Sequence, residues 1–154
     1  MKHKLYLPEA RSHTWIHVIW TTRDAMPRIP PRKRHKLLLF LLDHCRKEDV
    51  YLDVANALED HVHLLLMLNP KQSLSNVIRK MKAAAEQYLR EKSLWEKDYR
   101  AYSLSTAKIP YLRRRIRRQE KIHRLISLEQ ELWELEPLGR GNECLPIAWV
   151  KGIG

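Results

Sequence analysis

The sequence predicts an α+β protein: a ferredoxin-like, split βαβ antiparallel sheet with an additional basic helix toward the C-terminus. Two observations predict this class. Segments with the β-branched and aromatic composition of strands alternate with segments whose apolar residues recur at helical spacing. Their order is strand, helix, strand, strand, helix, strand, helix, and the first six follow the split βαβ pattern. A chain of 154 residues can bury a substantial core, so we expect one domain over residues 1–136 and an irregular segment over residues 137–154.

The first four elements are predicted from composition and from the breaks between them. Residues 14–22 are rich in β-branched and aromatic side chains, which is typical of a strand. A loop with three prolines follows, and then residues 33–48 form an apolar block with polar flanks, which predicts a helix. Residues 50–58 and 61–68 predict two strands. Because only two residues separate them, these strands are expected to form a hairpin.

The remaining elements follow from periodicity. Residues 73–92 give the clearest helix, because their apolar positions recur every 3.6 residues and Ser73 is a suitable N-cap. Residues 99–105 alternate and predict a strand. A last helix is predicted from about Lys108 to beyond Arg124, and residues 125–135 either extend it or form another helix.

Charge and residue usage exclude several classes of protein. The net charge of +11 indicates a polyanionic partner, with nucleic acid first and an anionic membrane surface second. All four glycines lie after residue 138, so residues 1–138 contain no glycine-rich phosphate loop. Two cysteines are too few for a disulfide framework or a thiolate zinc site. The longest apolar run, residues 37–42, is too short for a membrane span, and we expect a cytoplasmic protein with no membrane partner.

Two histidines on the third strand are the first candidates for a metal site. His61 and His63 are two residues apart, so both side chains point to one face while Val62 and Leu64 point to the other. Two neutral imidazoles supply half of a divalent-metal site, whereas the usual alternative for such a pair is an exposed position or the edge of the core. Gln119 interrupts the apolar stripe of the last helix. A buried amide needs a partner, which is either a metal ion or a hydrogen bond to a neighbouring strand.

Most of the positive charge is concentrated on the last helix. Residues 111–124 contain seven basic residues and one acidic residue, whereas residues 125–154 have a net charge of −3. A solvated helix face normally mixes both signs, so contact with a phosphate backbone is favoured. The predicted DNA-binding residues are Arg113, Arg114, Arg117, Arg118, Lys121 and Arg124, with Lys80 and Lys82 on the helix after the histidine strand.

Residues 58–84, LEDHVHLLLMLNPKQSLSNVIRKMKAA, resemble the core of the HUH-superfamily single-tyrosine transposases, which include the insertion-sequence and REP-associated types. The shared signature is His-hydrophobic-His on a central strand, within a DHVHLL string, followed by a helix that starts near LS. The resemblance continues in DYRAYSLSTAKI and IRRQEKIHR, which are similar to the GYxAFSVS strand and the YIxNQxxHH helix of that family. It covers residues 12–124.

This resemblance implies a homodimer with a ferredoxin-like core that binds imperfect single-stranded DNA hairpins and cleaves and rejoins one strand. In that family a helix tyrosine attacks the scissile phosphate, leaving a 5′-phosphotyrosine and a free 3′-hydroxyl. Two histidines and a polar residue on the same helix hold Mg²⁺ or Mn²⁺, which polarises the phosphate. By position, the metal ligands implied for this chain are His61, His63 and Gln119.

The chain departs from the family at the nucleophile. The family tyrosine lies four residues before the glutamine, and Arg115 occupies that position here. A guanidinium stays protonated at any ordinary pH and cannot act as a nucleophile. Two further departures are the family's second helix histidine, which is absent because Ile122 precedes His123, and Asp98, where the family commonly has glycine.

Three interpretations of the chemistry follow. The protein is a catalytically inactive binder of DNA or RNA hairpins. Alternatively, Tyr111 replaces the missing nucleophile, although one helical turn separates it from position 115 by about 5–6 Å. In the third interpretation the metal site activates water, and the protein is a metal-dependent nuclease.

Overall fold

The structure, a computed structural model, describes residues 14–135. The strands are β1 (Trp15–Thr21), β2 (Tyr51–Ala57), β3 (His61–Met67) and β4 (Arg100–Leu104). The helices are α1 (Pro31–Lys47), α2 (Leu74–Leu89), α3 (Ile109–Arg117), α4 (Gln119–Ile122) and α5 (Leu128–Leu135).

The four strands form one antiparallel sheet in the order β2-β3-β1-β4. This order, with α1 between β1 and β2 and α2 between β3 and β4, is the split βαβ arrangement. The predicted α+β class is therefore confirmed. The hairpin is also confirmed, since β2 and β3 are adjacent and antiparallel.

One face of the sheet is covered by α1 and α2. Val62, Leu64 and Leu66 of β3 are fully buried in this apolar layer together with Val18 and Trp20 of β1. The alternation in β3 thus delivers the apolar side chains that the sequence pattern assigned to this face. Burial of this layer is the main source of stability for the sheet.

The other face is covered by α3. Ile109, Leu112 and Ile116 of that helix pack on Leu65 of β3 and Val54 of β2. The register of β2 shifts between Leu52 and Val54, so β2 contains an irregularity of the β-bulge type. A bulge changes which face successive side chains reach, and here it lets Val54 join the layer beneath α3.

The last predicted helix is interrupted, and this corrects the expectation of one helix from about Lys108 to beyond Arg124. Helix α3 ends at Arg117, because Arg118 leaves the helical region with φ −102° and ψ 17°. Like charges four residues apart, as in Arg114 and Arg118, disfavour continuation of the helix. A separate helix begins after Ser127, whose hydroxyl caps the Gln130 amide at 3.1 Å.

The described residues fall into two compact units, the first ending at Gln119 and the second beginning at Glu120. The first contains the sheet with α1, α2 and α3, and the second contains α5. One domain over residues 1–136 stays a prediction, and the irregular segment predicted over residues 137–154 lies outside the described residues. Within residues 14–135, no helix is both long and apolar enough to cross a membrane.

Candidate functional site

The paired histidines lie on central strand β3, on the face that α3 covers. His61 is 1% exposed and His63 is fully buried. Their ring centroids are 5.0 Å apart with the ring planes at 74°. Across the sheet, Ile19 of β1 and Asn56 of β2 are both in register with His63. The structure therefore brings the two imidazoles together inside the layer between the sheet and α3.

Asp60 orients the first of these rings. Its carboxylate oxygen Oδ1 lies 2.5 Å from Nδ1 of His61. A histidine that binds a metal commonly donates its other ring N–H to a carboxylate, which fixes the ring and its tautomer. Because Nδ1 of His61 meets the carboxylate, Nε2 is the atom that would bind a metal. The sequence pattern places Asp60 in the turn between two strands and predicts no function for it, although Asp60 is adjacent to His61 in the sequence.

His17 provides the corresponding contact for the second ring. Its Nε2 lies 2.9 Å from Nδ1 of His63, and its side chain is 1% exposed. The ring of Tyr102 on β4 lies beside His17, with centroids 6.1 Å apart. The sequence pattern predicts for His17 only that it lies in a strand. The contact depends on how β1 pairs with β3, which one sequence does not reveal.

Gln119 is fully buried, as the interruption of the apolar stripe predicted. Its amide nitrogen lies 3.5 Å from the Arg115 carbonyl oxygen, at the outer limit of a hydrogen bond. With the nitrogen directed there, the amide oxygen is the atom that would serve as a ligand. Its assignment as the third metal ligand stays a proposal.

Two polar contacts fix α3 against strand β2. Asn56 donates from its side-chain nitrogen to the Ile116 carbonyl oxygen at 2.8 Å. Arg113 forms a bidentate pair with Asp53, with nitrogen–oxygen distances of 2.6 and 2.9 Å. The hydrogen bonds that Arg113 donates to Asp53 raise the pKa of Arg113, and the guanidinium also lies over the Trp15 ring. These contacts hold the helix that carries position 115 in one place.

Arg113 is thus occupied within the protein, and so are two other residues predicted to bind DNA. Lys80 forms an ion pair with Glu48 at 2.7 Å. The ammonium of Lys82 is directed to the backbone and has a lowered pKa because it is buried. It donates to the carbonyl oxygens of Glu96, Lys97 and Asp98. Arg113 and Lys82 therefore have structural roles, and Lys80 is engaged in an exposed ion pair.

The other predicted DNA-binding residues are exposed. They comprise Arg114, Arg117 and Arg118 in the first unit and Lys121 and Arg124 in the second. On α3, Arg114 lies on the side of the helix away from the buried Leu112 and Ile116, and Arg118 is the first residue after the helix.

Tyr111 and Arg115 are one turn apart on the same partly buried side of α3. Since α3 is regular between them, their Cα atoms are about 6 Å apart along the axis. Tyr111 therefore lies one helical turn N-terminal to position 115, where the family has its tyrosine.

The second unit contains a polar pair of its own. Nε2 of His123 lies 2.9 Å from a carboxylate oxygen of Glu131, and Nδ1 lies 3.2 Å from the Ile126 carbonyl oxygen. In the sequence, His123 stands out only beside a missing histidine of the family pattern, and no motif points to Glu131. The turn before α5, which brings these two residues together, was not visible in the sequence pattern.

A four-stranded ferredoxin-like sheet with a His-hydrophobic-His pair on a central strand and a covering helix is the arrangement expected of an HUH-type transposase-like protein. Residues 10–119 match the family described as "Transposase IS200 like". Because the match covers more than half of the chain, the protein belongs to the IS200-like transposase family. The predicted family is confirmed.

Two solved structures show the same fold. A candidate transposase from Deinococcus radiodurans R1 is 18% identical over 73% of this chain and 95% of that chain, with a TM-score of 0.57. A REP-associated tyrosine transposase, solved with a bound REP hairpin, is 14% identical over 78% of this chain and 76% of that chain, with a TM-score of 0.60. No curated protein matches the chain.

Proposed function

We propose that this protein binds single-stranded hairpin DNA as a homodimer and holds a divalent metal ion, Mg²⁺ or Mn²⁺, at His61, His63 and Gln119. The observation that carries the proposal is the buried histidine pair, in which a polar partner engages Nδ1 of each ring. Family membership and the hairpin bound to the REP-associated relative support the choice of ligand.

The donor set fits a divalent ion. Both histidines are engaged at Nδ1, so each would bind through Nε2, and the amide oxygen of Gln119 would add a hard ligand. Imidazole and amide donors are neutral, so the ion's charge would be left to attract a phosphate. When bound, the ion would polarise that phosphate and stabilise the charge that develops on it.

The exposed arginines would form the contacts with the phosphate backbone of the nucleic acid. Arg114, Arg117 and Arg118 are exposed, and each guanidinium can hold a phosphate through two parallel hydrogen bonds. Lys121 and Arg124 extend the basic run in sequence. We leave Arg113, Lys80 and Lys82 out of this contact set, because each is engaged within the protein.

Strand cleavage by a tyrosine at the family position is absent from this proposal, because that position is Arg115. Its guanidinium can neutralise a phosphate but cannot attack it. The protein is then a hairpin-binding member of a transposase family that has lost the usual nucleophile. The presence of Tyr111 one turn upstream supports a second candidate, cleavage by that phenol, and the retained histidines support a third, hydrolysis by activated water.

The test uses a pool of DNA stem-loops with single-stranded flanks, labelled with different fluorophores at the 5′ and 3′ ends, in buffer with Mn²⁺. We expect the protein to bind and retain stem-loops, and this binding should weaken steeply as the salt concentration rises. We expect no cut DNA and no covalent protein–DNA adduct. Arg114→Glu should weaken retention, whereas Arg46→Glu on α1 serves as the matched control. Failure to retain any stem-loop would overturn the proposal.

When the same reactions are run on a denaturing gel, they distinguish the hairpin binder from the two cleaving alternatives. A covalent adduct that carries the 3′ label and disappears in Tyr111→Phe would establish the phenol as nucleophile. Cut product without an adduct would establish the nuclease. In Arg115→Tyr, the appearance of an adduct would show that the rest of the site is competent and that only the nucleophile is missing.

A further inference from the structure

The two histidines of the pair are held by chemically different partners. Nδ1 of His61 meets a carboxylate, that of Asp60, whereas Nδ1 of His63 meets the imidazole of His17 at 2.9 Å. A carboxylate can only accept a hydrogen bond, but an imidazole nitrogen can donate or accept. The direction of the His17–His63 hydrogen bond therefore decides where the His63 proton resides.

The geometry of the two rings suits a hydrogen bond in the ring planes. The planes of His17 and His63 are only 20° apart, and their centroids are 5.2 Å apart. The distance between the centroids is close to the sum of the 2.9 Å nitrogen–nitrogen distance and two ring radii, one from each centroid to its nitrogen. The two nitrogens thus lie nearly on the line between the centroids, edge to edge, and the lone pair of one ring points along the N–H of the other.

Only one direction of this hydrogen bond is compatible with a metal on His63. If Nε2 of His17 donated, the His63 proton would reside on Nε2, the atom that must bind the ion. If Nδ1 of His63 donates, Nε2 keeps its lone pair for the metal.

We propose that His17 is a positioning residue that accepts the hydrogen bond from Nδ1 of His63 and so presents Nε2 of His63 to the metal. The proposal rests on the metal site put forward above and adds a residue to it. The rigid placement of His17 supports this role. Strand β1 is hydrogen-bonded on both sides, with His17 in register with Leu65 on β3 and Tyr102 on β4.

An imidazole also suits this place better than a second carboxylate would. His17 is 1% exposed and lies in the middle of the sheet, whereas Asp60 is at the partly exposed end of the hairpin. Burial of an unpaired carboxylate is costly, so a neutral acceptor fixes the ring without placing a second charge in the core.

The first test is spectroscopic and needs no metal. Ring ¹⁵N chemical shifts of the metal-free wild-type protein should show His63 as the Nδ1–H tautomer. In His17→Gln the side-chain carbonyl can still accept the hydrogen bond from His63, so the Nδ1–H tautomer of His63 should persist. In His17→Phe no acceptor remains, and the Nδ1–H tautomer should no longer predominate. An Nε2–H tautomer of His63 in the wild-type protein would overturn the proposal.

The second test is the calorimetric affinity for Mn²⁺ alone. His17→Phe keeps a flat ring but removes the acceptor, and it should weaken binding by about ten- to a hundredfold, the usual cost of losing such a partner. His17→Gln should recover most of the affinity. The exposed His35 supplies the matched control, His35→Phe, which should bind as the wild type does.

The outcomes distinguish the two proposals. If wild-type protein and His61→Ala bind Mn²⁺ equally weakly, the metal site itself is wrong. If wild type binds, His61→Ala does not, and folded His17→Phe binds within twofold of wild type, only the role of His17 is overturned. The wild-type tautomer decides the question even if His17→Phe does not fold.

Discussion

The two faces of the sheet are both buried, but they are built from different side chains. Beneath α1 and α2, strand β3 contributes Val62, Leu64 and Leu66 to a purely apolar layer. Beneath α3, the same strand contributes His61 and His63, which are stable there only because each has a hydrogen-bonding partner. One strand thus supplies stability with its even-numbered positions and a candidate site with its odd-numbered positions.

The largest effect on stability should come from the apolar face. Leu64→Ala removes a fully buried side chain between the sheet and its helices and should lower the free energy of unfolding by about 2–5 kcal/mol. Urea denaturation measures this. The control is Leu39→Ala, which is 54% exposed on α1 and should change the value by less than about 0.5 kcal/mol. A small effect at Leu64 would contradict the assignment of the core.

A substitution on the histidine face should affect metal binding more than stability. His61→Ala removes a proposed ligand and should reduce the Mn²⁺ affinity by about a hundredfold or more, since loss of a supporting partner alone costs up to that much. Without metal, its free energy of unfolding should fall less than that of Leu64→Ala. His35→Ala is the calorimetric control. A variant that is strongly destabilised yet binds Mn²⁺ normally would assign His61 to the core and not to the site.

The difference between the faces also explains what could be predicted. Alternation assigned Val62 and His63 to opposite faces, and helical spacing identified the buried Gln119, because both depend on residues close in sequence. The contact of His17 with His63 depends on strand register, and the entry of Val54 into the α3 layer follows a shift in that register. Such pairings between distant segments are not encoded in any local pattern.

The contact between Asn56 and α3 should have an intermediate effect. Asn56→Ala removes the donor to the Ile116 carbonyl and should lower the free energy of unfolding by about 1 kcal/mol. Because this bond fixes the end of α3 next to Gln119, the Mn²⁺ affinity should also fall severalfold. Gln87→Ala, on the exposed side of α2, is the control for both measurements. Loss of stability with unchanged Mn²⁺ affinity would show that the position of α3 does not govern the site.

The smallest effect should come from the end of α2, on the apolar side of the sheet. Arg90 ends this helix with φ 56° and ψ 37°, a left-handed conformation that glycine adopts without the cost of about 1 kcal/mol borne by other residues. Arg90→Gly should therefore raise the free energy of unfolding by up to about 1 kcal/mol, whereas Arg79→Gly inside α2 should lower it by a similar amount.

Both glycine variants remove one positive charge, so their comparison separates backbone conformation from charge. Hairpin retention by Arg90→Gly should equal that of the wild type, because the proposed phosphate contacts are made by Arg114, Arg117 and Arg118 together with the basic residues that follow them. Weaker retention would extend the DNA-binding surface to the α2 side of the sheet. The two faces of the sheet would then no longer divide into a stabilising face and a binding face. Arginine at position 90 would contribute to DNA binding even though glycine suits the left-handed backbone conformation better.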